Sequence, residues 1–139
     1  MDPREVVREA LAALDQSADA FAAYVTDDAE FASPLGKMHG RDEIHDFVAG
    51  MHASFSDWKH DVSIEAAGDL VVVEGTWNGT HTAPMPTPQG EIPATGIRAS
   101  VPFAGIARVR GDRLASVHNY FDTAGMMAQL SPMPEAATA

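Results

Sequence analysis

The sequence predicts an α+β domain in which helices pack on one face of a curved antiparallel sheet. Three observations carry that reading. Apolar residues recur at helical spacing up to Phe55, the period shortens to two after Trp58, and the dipeptides Gly68-Asp69 and Gly111-Asp112 mark tight turns between consecutive strands. At 139 residues the chain has the length of one domain and can bury about two-thirds of its unfolded surface. We expect that domain over residues 1–131, followed by a loose C-terminal tail at 132–139.

The elements follow in order. Asp2-Pro3-Arg4-Glu5 opens a first helix over residues 3–15, with Asp2 as N-cap, Pro3 at the first helical position and Glu5 placed to reach back. Val6, Val7, Ala10, Leu11 and Leu14 form its apolar stripe. Ser17 caps a short second helix holding Phe21, Tyr24 and Val25, which ends near residues 26–28, before a strand at AEFAS and the breaker Pro34-Leu35-Gly36. A third helix from Arg41 to Phe55 aligns Ile44, Phe47, Val48 and Met51. The strands are HDVSIEA, LVVVEGTWNGTH, IRASVPFAGIARVR and RLASVHNYFD, and a last helix runs from Thr123 to Leu130. Between His81 and Ile97 a proline-rich stretch without period reads as a functional loop, a lid or a hairpin tip. Pro102, inside a strand, reads as a bulge.

Composition removes several functions. The absence of cysteine excludes disulfides, thiolate zinc sites and cysteine nucleophiles. A formal charge of −11 repels phosphate backbones and anionic lipids, so neither nucleic acid nor a membrane is an expected partner. The charged N-terminus is unlike a signal peptide, and we expect a cytoplasmic protein. His45 and His52 are seven residues apart, no histidine pair has metal-ligand spacing, and neither a nucleophile elbow nor a phosphate loop is present. No metal or cofactor is therefore expected.

Strand alternation sorts the remaining candidates. In LVVVEGTWNGTH the odd positions, including Val71, Val73, Trp77 and His81, share the buried face, and in the next strand Val101 and Phe103 do the same. In RLASVHNYFD the even positions His118, Tyr120 and Asp122 line up against Ala115, Val117, Asn119 and Phe121, neither face is clearly the apolar one, and a concave pocket would explain the even face pointing inward with Trp77. A carboxylate at the mouth of an apolar pocket is suited to acid or base work. Asp122 also immediately precedes a helix, where it can act as a cap.

Three stretches carry a resemblance. FAAYVTDDAEFASPLGKMHGRDEIHDF resembles the opening of the nuclear transport factor 2-like superfamily, while GTWNGTHTAPMPTPQGEIPATG and HNYFDTAGMMAQL resemble its SnoaL-like branch, the polyketide or ester cyclases. The resemblance implies a cone: a strongly curved antiparallel sheet wrapped on helices around one apolar cavity, usually dimeric. It places the acid/base carboxylate just before the C-terminal helix, where Asp122 stands. Ser33 and the apolar surroundings of Gly105 replace the acids of the related ketosteroid isomerases, and Arg98 is followed by Ser100 instead of the aspartate of the limonene epoxide hydrolases.

The expected activity is cofactor-independent proton abstraction beside a carbonyl, followed by intramolecular aldol closure of a hydrophobic, polyketide-like molecule. Asp122 would exchange the proton, with His118, His81 or Tyr24 orienting the oxygens, in a pocket of Tyr24, Met51, Trp58, Trp77, Phe103 and Tyr120. Hydrolysis of an epoxide or lactone, or binding without reaction, are the alternatives. A homodimer is expected through the outer strand face at Thr76, Asn78, Ser100 and Ala104.

Overall fold

The computed structural model describes residues 2–87 and 90–131; the expected tail at 132–139 lies outside them. Asp2 caps α1 (Pro3–Gln16), accepting from the Arg4 N–H at 2.9 Å. Glu5 pairs with Arg8 instead of reaching back to the cap. Ser17 closes α1 and opens α2 (Ala18–Ala22), its hydroxyl accepting from the Ala20 N–H at 3.0 Å. The chain continues through β1 (Val25–Ser33), β2 (Gly36–His39), α3 (Arg41–Ser54), β3 (Phe55–Ala67) and β4 (Leu70–His81). It finishes with β5 (Met85–Thr87), β6 (Gly90–Ile92), β7 (Arg98–Arg110), β8 (Arg113–Phe121) and α4 (Thr123–Leu130). Within the proline-rich stretch, β5 and β6 pair with each other as a separate small antiparallel ladder.

The fold is mixed α+β, with a curved, unclosed six-stranded sheet in the order β2-β1-β8-β7-β4-β3. One pair departs from the expected antiparallel pattern: β1 and β8 run parallel. β1 also starts at Val25, earlier than the AEFAS strand, because Val25 pairs with Leu114 of β8. Neither feature has a local turn to announce it.

Two apolar clusters fill the inner face. The first sets Val6, Val7, Ala10, Phe21, Ile44 and Val48 of the helices against Val71, Val73, Ala107, Val109 and Leu114 of the sheet. The second joins Phe55, Met85, Ala99 and Val101 to Met126 and Leu130 of α4. Gly75 lets β3 and β4 approach closely, for a Cβ there would stand 2.7 Å from the Val62 Cα. Among the described residues no helix is long and apolar enough to cross a membrane.

The bulge expected at Pro102 is absent, and Pro102 keeps its ladder position opposite Thr76. The β7–β8 ladder begins only at Phe103 opposite Phe121, so β7 has no strand beside Pro102 on that flank. Two residues earlier, the Gln129 side chain of α4 takes the place of a strand, accepting from the Ser100 N–H and donating to its carbonyl, both at 2.8 Å. Alternate residues of a strand direct their backbone groups to the same flank, so the N–H that proline lacks would have faced this uncovered stretch.

The irregularity falls in β8 instead. Val109 faces Leu114 while Arg108 faces Ser116, which leaves Ala115 as an extra residue. Leu114 therefore points inward with Val109, and beyond the bulge the inward residues are Val117, Asn119 and Phe121, opposite Ala107, Gly105 and Phe103. His118 and Tyr120 are exposed on the outer face, opposite Ile106 and Ala104, so Trp77 and His118 lie on opposite sides of the sheet and the expectation that they share a face is corrected. Strict alternation cannot survive a one-residue insertion.

Candidate functional site

Between the two clusters lies a cavity of about 140 Å³. Leu14, Phe47, Val48 and Met51 close it from the helices and Met126 from α4, while Trp58, His60, Trp77, Phe103, Asn119 and Phe121 form its sheet wall. The wall is shaped by two glycines. A Cβ on Gly79 would meet the Trp77 ring at 2.8 Å, so the indole lies over Gly79 and fills the space its side chain would take. A Cβ on Gly105 would meet Asn119 Oδ1 at 2.6 Å, and the Asn119 amide lies over that glycine. Trp58 and Trp77 meet edge to face at 5.3 Å, and Trp77 meets Phe55 in the same way at 5.0 Å. The Trp77 indole N–H is buried with no acceptor among the described residues.

One ionisable pair reaches this apolar wall. His60 sits on the inner face of β3 opposite Trp77, with a side chain almost wholly buried. Its Nδ1 is 2.6 Å from Asp15 Oδ1, and its backbone N–H donates to Asp15 Oδ2 at 3.2 Å. A carboxylate accepts, so Nδ1 donates the hydrogen in this contact and Nε2 is the ring nitrogen turned away from Asp15. Nε2 has no hydrogen-bond partner among the described residues. Asp15 stands in the last turn of α1, which a second histidine also ties down: His52 Nε2 donates to the Leu14 carbonyl at 2.7 Å while its ring stacks on Trp58 at 3.9 Å. Those two contacts hold the end of α1, and with it Asp15, against the cavity wall. The arrangement is an imidazole oriented by a carboxylate on a largely apolar wall.

The comparisons with known proteins show the family and the fold. The family model described as a SnoaL-like domain matches residues 6–117. The chain belongs to the SnoaL-like family. Solved structures agree in fold. A protein described as a polyketide cyclase from Pseudomonas putida KT2440 is 20% identical, with TM-score 0.81, the alignment covering 94% of this chain and 99% of the other. A ketosteroid isomerase-like protein from Catenulispora acidiphila, in complex with trimethylamine, is 22% identical with TM-score 0.76, covering 90% and 91%. An LEH-like epoxide hydrolase from M. tuberculosis is 20% identical with TM-score 0.71, covering 92% and 88%. No curated protein matches in sequence.

Set in this SnoaL-like frame, the residues singled out from sequence separate into two groups. Met51, Trp58, Trp77 and Phe103 line the cavity. Tyr24 does not: its hydroxyl donates to Glu9 Oε1 at 3.1 Å, and that bond, with burial and the charge of Glu9, raises its pKa above 10.0. His81 is fully buried in the second cluster, its Nδ1 at 3.0 Å from Thr95 Oγ1 and its ring stacked on Phe55, and burial lowers its pKa below 6.5. Asp122 is exposed at the start of α4, makes no side-chain cap hydrogen bond, and rests its carboxylate over Gly125. It also lies beyond the residues that match the family. His60, Asp15 and Asn119 were the residues that sequence reading passed over; the signal for His60 was its alternation with Val62 and Ile64 in HDVSIEA. Among the described residues, no three histidine, aspartate or glutamate side chains gather as a metal would need.

Proposed function

We propose that the chain binds a small, uncharged carbonyl compound in the inner cavity and moves a proton beside that carbonyl, in the service of an intramolecular aldol closure on a polyketide-like molecule. The observation that carries this reading is the His60 imidazole, held by Asp15 at 2.6 Å, on a wall that apart from Asn119 and Ser33 is aromatic and aliphatic. Nε2 takes a proton from the carbon next to the carbonyl, and the Asp15 carboxylate offsets the charge that forms on the ring. The electron pair moves to the carbonyl oxygen, where the Asn119 amide, on the same wall, can donate to it. The enolate carbon then attacks a second carbonyl, forming the carbon–carbon bond. The new alkoxide recovers the proton from Nε2. Nothing is left over, and no cofactor enters the balance.

A charge of −11 on the chain disfavours an anionic substrate, which supports a neutral ligand. The expected homodimer finds support on the outer sheet face, where Val72, Ile106 and Tyr120 are 42%, 40% and 57% exposed and their strands lie side by side. The test is deuterium uptake from D₂O at the position next to the carbonyl of cyclohexanone, followed by NMR. The unaltered protein is expected to accelerate it, and His60→Gln to lose about 10²–10⁴ of that acceleration. A His60→Gln protein that exchanges at the full rate defeats the reading. Binding without any exchange leaves a carrier.

A further inference from the structure

The inner cavity has a neighbour. A second cavity of about 560 Å³ lies against it, and Leu35, Phe47 and Met51 belong to the walls of both. The two differ in size and in chemistry. An apolar space of about 150 Å³ takes a benzene ring, so the inner cavity admits one six-membered ring and little more. The outer one falls within the ordinary range of ligand sites, roughly 300–1,000 Å³. Its wall is mostly apolar, with Pro34, Pro86, Met85 and Met127 around Gly50, and methionines adapt their shape to a flexible guest. Two of its polar groups are already engaged. The Ser54 hydroxyl is already within 3.0 Å of the Pro84 carbonyl and 3.2 Å of the Gly50 carbonyl, and the Asp46 carboxylate is met by His45 at 3.2 Å.

Gly50 points the same way. Glycine is the poorest helix former after proline, yet it occupies an interior position of α3, and a Cβ built on it meets no atom within 4 Å. Gly50 is exposed, and the open space above it belongs to this cavity, so a larger side chain placed there would enter it.

We propose that the outer cavity holds an alkyl arm of the ligand whose ring occupies the inner one, so that the substrate is a single-ring or ring-forming carbonyl compound carrying a long, uncharged apolar chain. This rests on the reading of the inner cavity as the carbonyl site. The arm passes the shared edge at Leu35, Phe47 and Met51, and its burial supplies binding energy remote from the reacting atoms.

The experiment titrates the protein with cyclohexanone and with 2-alkylcyclohexanones bearing chains of two to eight carbons, read by the fluorescence of Trp58 and Trp77 on the inner wall. Each added methylene is expected to tighten binding about three- to fourfold until the outer cavity is full. Gly50→Leu projects a side chain into that cavity and should abolish the dependence on chain length while leaving cyclohexanone within twofold. Ala124→Leu, which enters from α4 on the same wall, should do likewise and stands in if the glycine variant does not fold. Gly50→Ala should keep the dependence. Affinity indifferent to chain length, failure of every member to bind, or equal weakening of short and long ligands by Gly50→Leu overturns the proposal. Chain-length dependence without proton exchange keeps it and removes the acid/base role of His60; exchange without chain-length dependence does the reverse.

Discussion

His60 and His81 are both taken out of water, on adjacent strands of one sheet, and they end in opposite conditions. His81 is fully buried against Phe55 at 5.1 Å, with Thr95 as its side-chain partner, and burial holds its pKa below 6.5. Its Nε2 meets no hydrogen-bond partner among the described residues. His60 has the Asp15 carboxylate at 2.6 Å and a cavity beside it. Desolvation alone makes an imidazole a neutral packing element. A carboxylate behind the ring fixes which nitrogen is turned to the cavity.

The contrast can be broken most sharply at Asp15. Asp15→Asn keeps the size of the side chain but removes the charge behind His60, and proton exchange is expected to fall by about 10²–10⁴ with folding retained. Deuterium uptake and a melting curve on the same sample decide it. If exchange survives, the two histidines are chemically alike and the carboxylate is only a strut for α1.

His81 should respond in the other observable. His81→Gln is expected to keep proton exchange within a few-fold and to lower stability at pH 7 by about 1–3 kcal/mol, the range for disturbing a buried, hydrogen-bonded group. The pH dependence sharpens this. Because folding lowers the pKa of His81, the unfolded chain takes up the proton first as pH falls below 6.5. The contribution of His81 is therefore full above that value and is lost as pH drops through the window beneath it. Melting temperatures between pH 7.5 and 5 should fall less steeply in His81→Gln than in the unaltered chain; an unchanged slope would mean the ring is charged inside the fold.

The smallest effect is expected at Asp122. Asp122 is exposed and makes no side-chain cap hydrogen bond, so Asp122→Asn should change stability by less than about 0.5 kcal/mol and leave proton exchange intact. A collapse of turnover with an unmoved melting temperature would return the working carboxylate to the end of β8.

What could be read from the chain alone follows from how local each feature is. The Asp2 and Ser17 caps rest on contacts two and three residues away, and both are present. Trp77 and Phe103 reach the cavity because β4 and β7 pair without a slip along eleven residues of β4, Leu70 to Thr80, and simple alternation holds there. The His60–Asp15 contact spans 45 positions, and the parallel pairing of β1 with β8 joins opposite ends of the chain. No periodicity encodes either. The misplacement of His118 and Tyr120 has a different origin, since their strand was identified and its alternation was not.

A β-strand is read in a frame of two, and Ala115 acts on it as an insertion acts on a coding frame. Everything downstream changes its side: Val117, Asn119 and Phe121 come in, and an imidazole and a phenol go out. Deleting that single residue would leave Val117, Asn119 and Phe121 inward on a regular strand, whereas pairing it in the ladder opposite Arg108 would set His118 and Tyr120 at the cavity in place of an amide and a phenyl ring. In this scaffold the chemistry of a wall turns on whether one residue is paired or left out, with every residue that reaches the cavity already present in the chain.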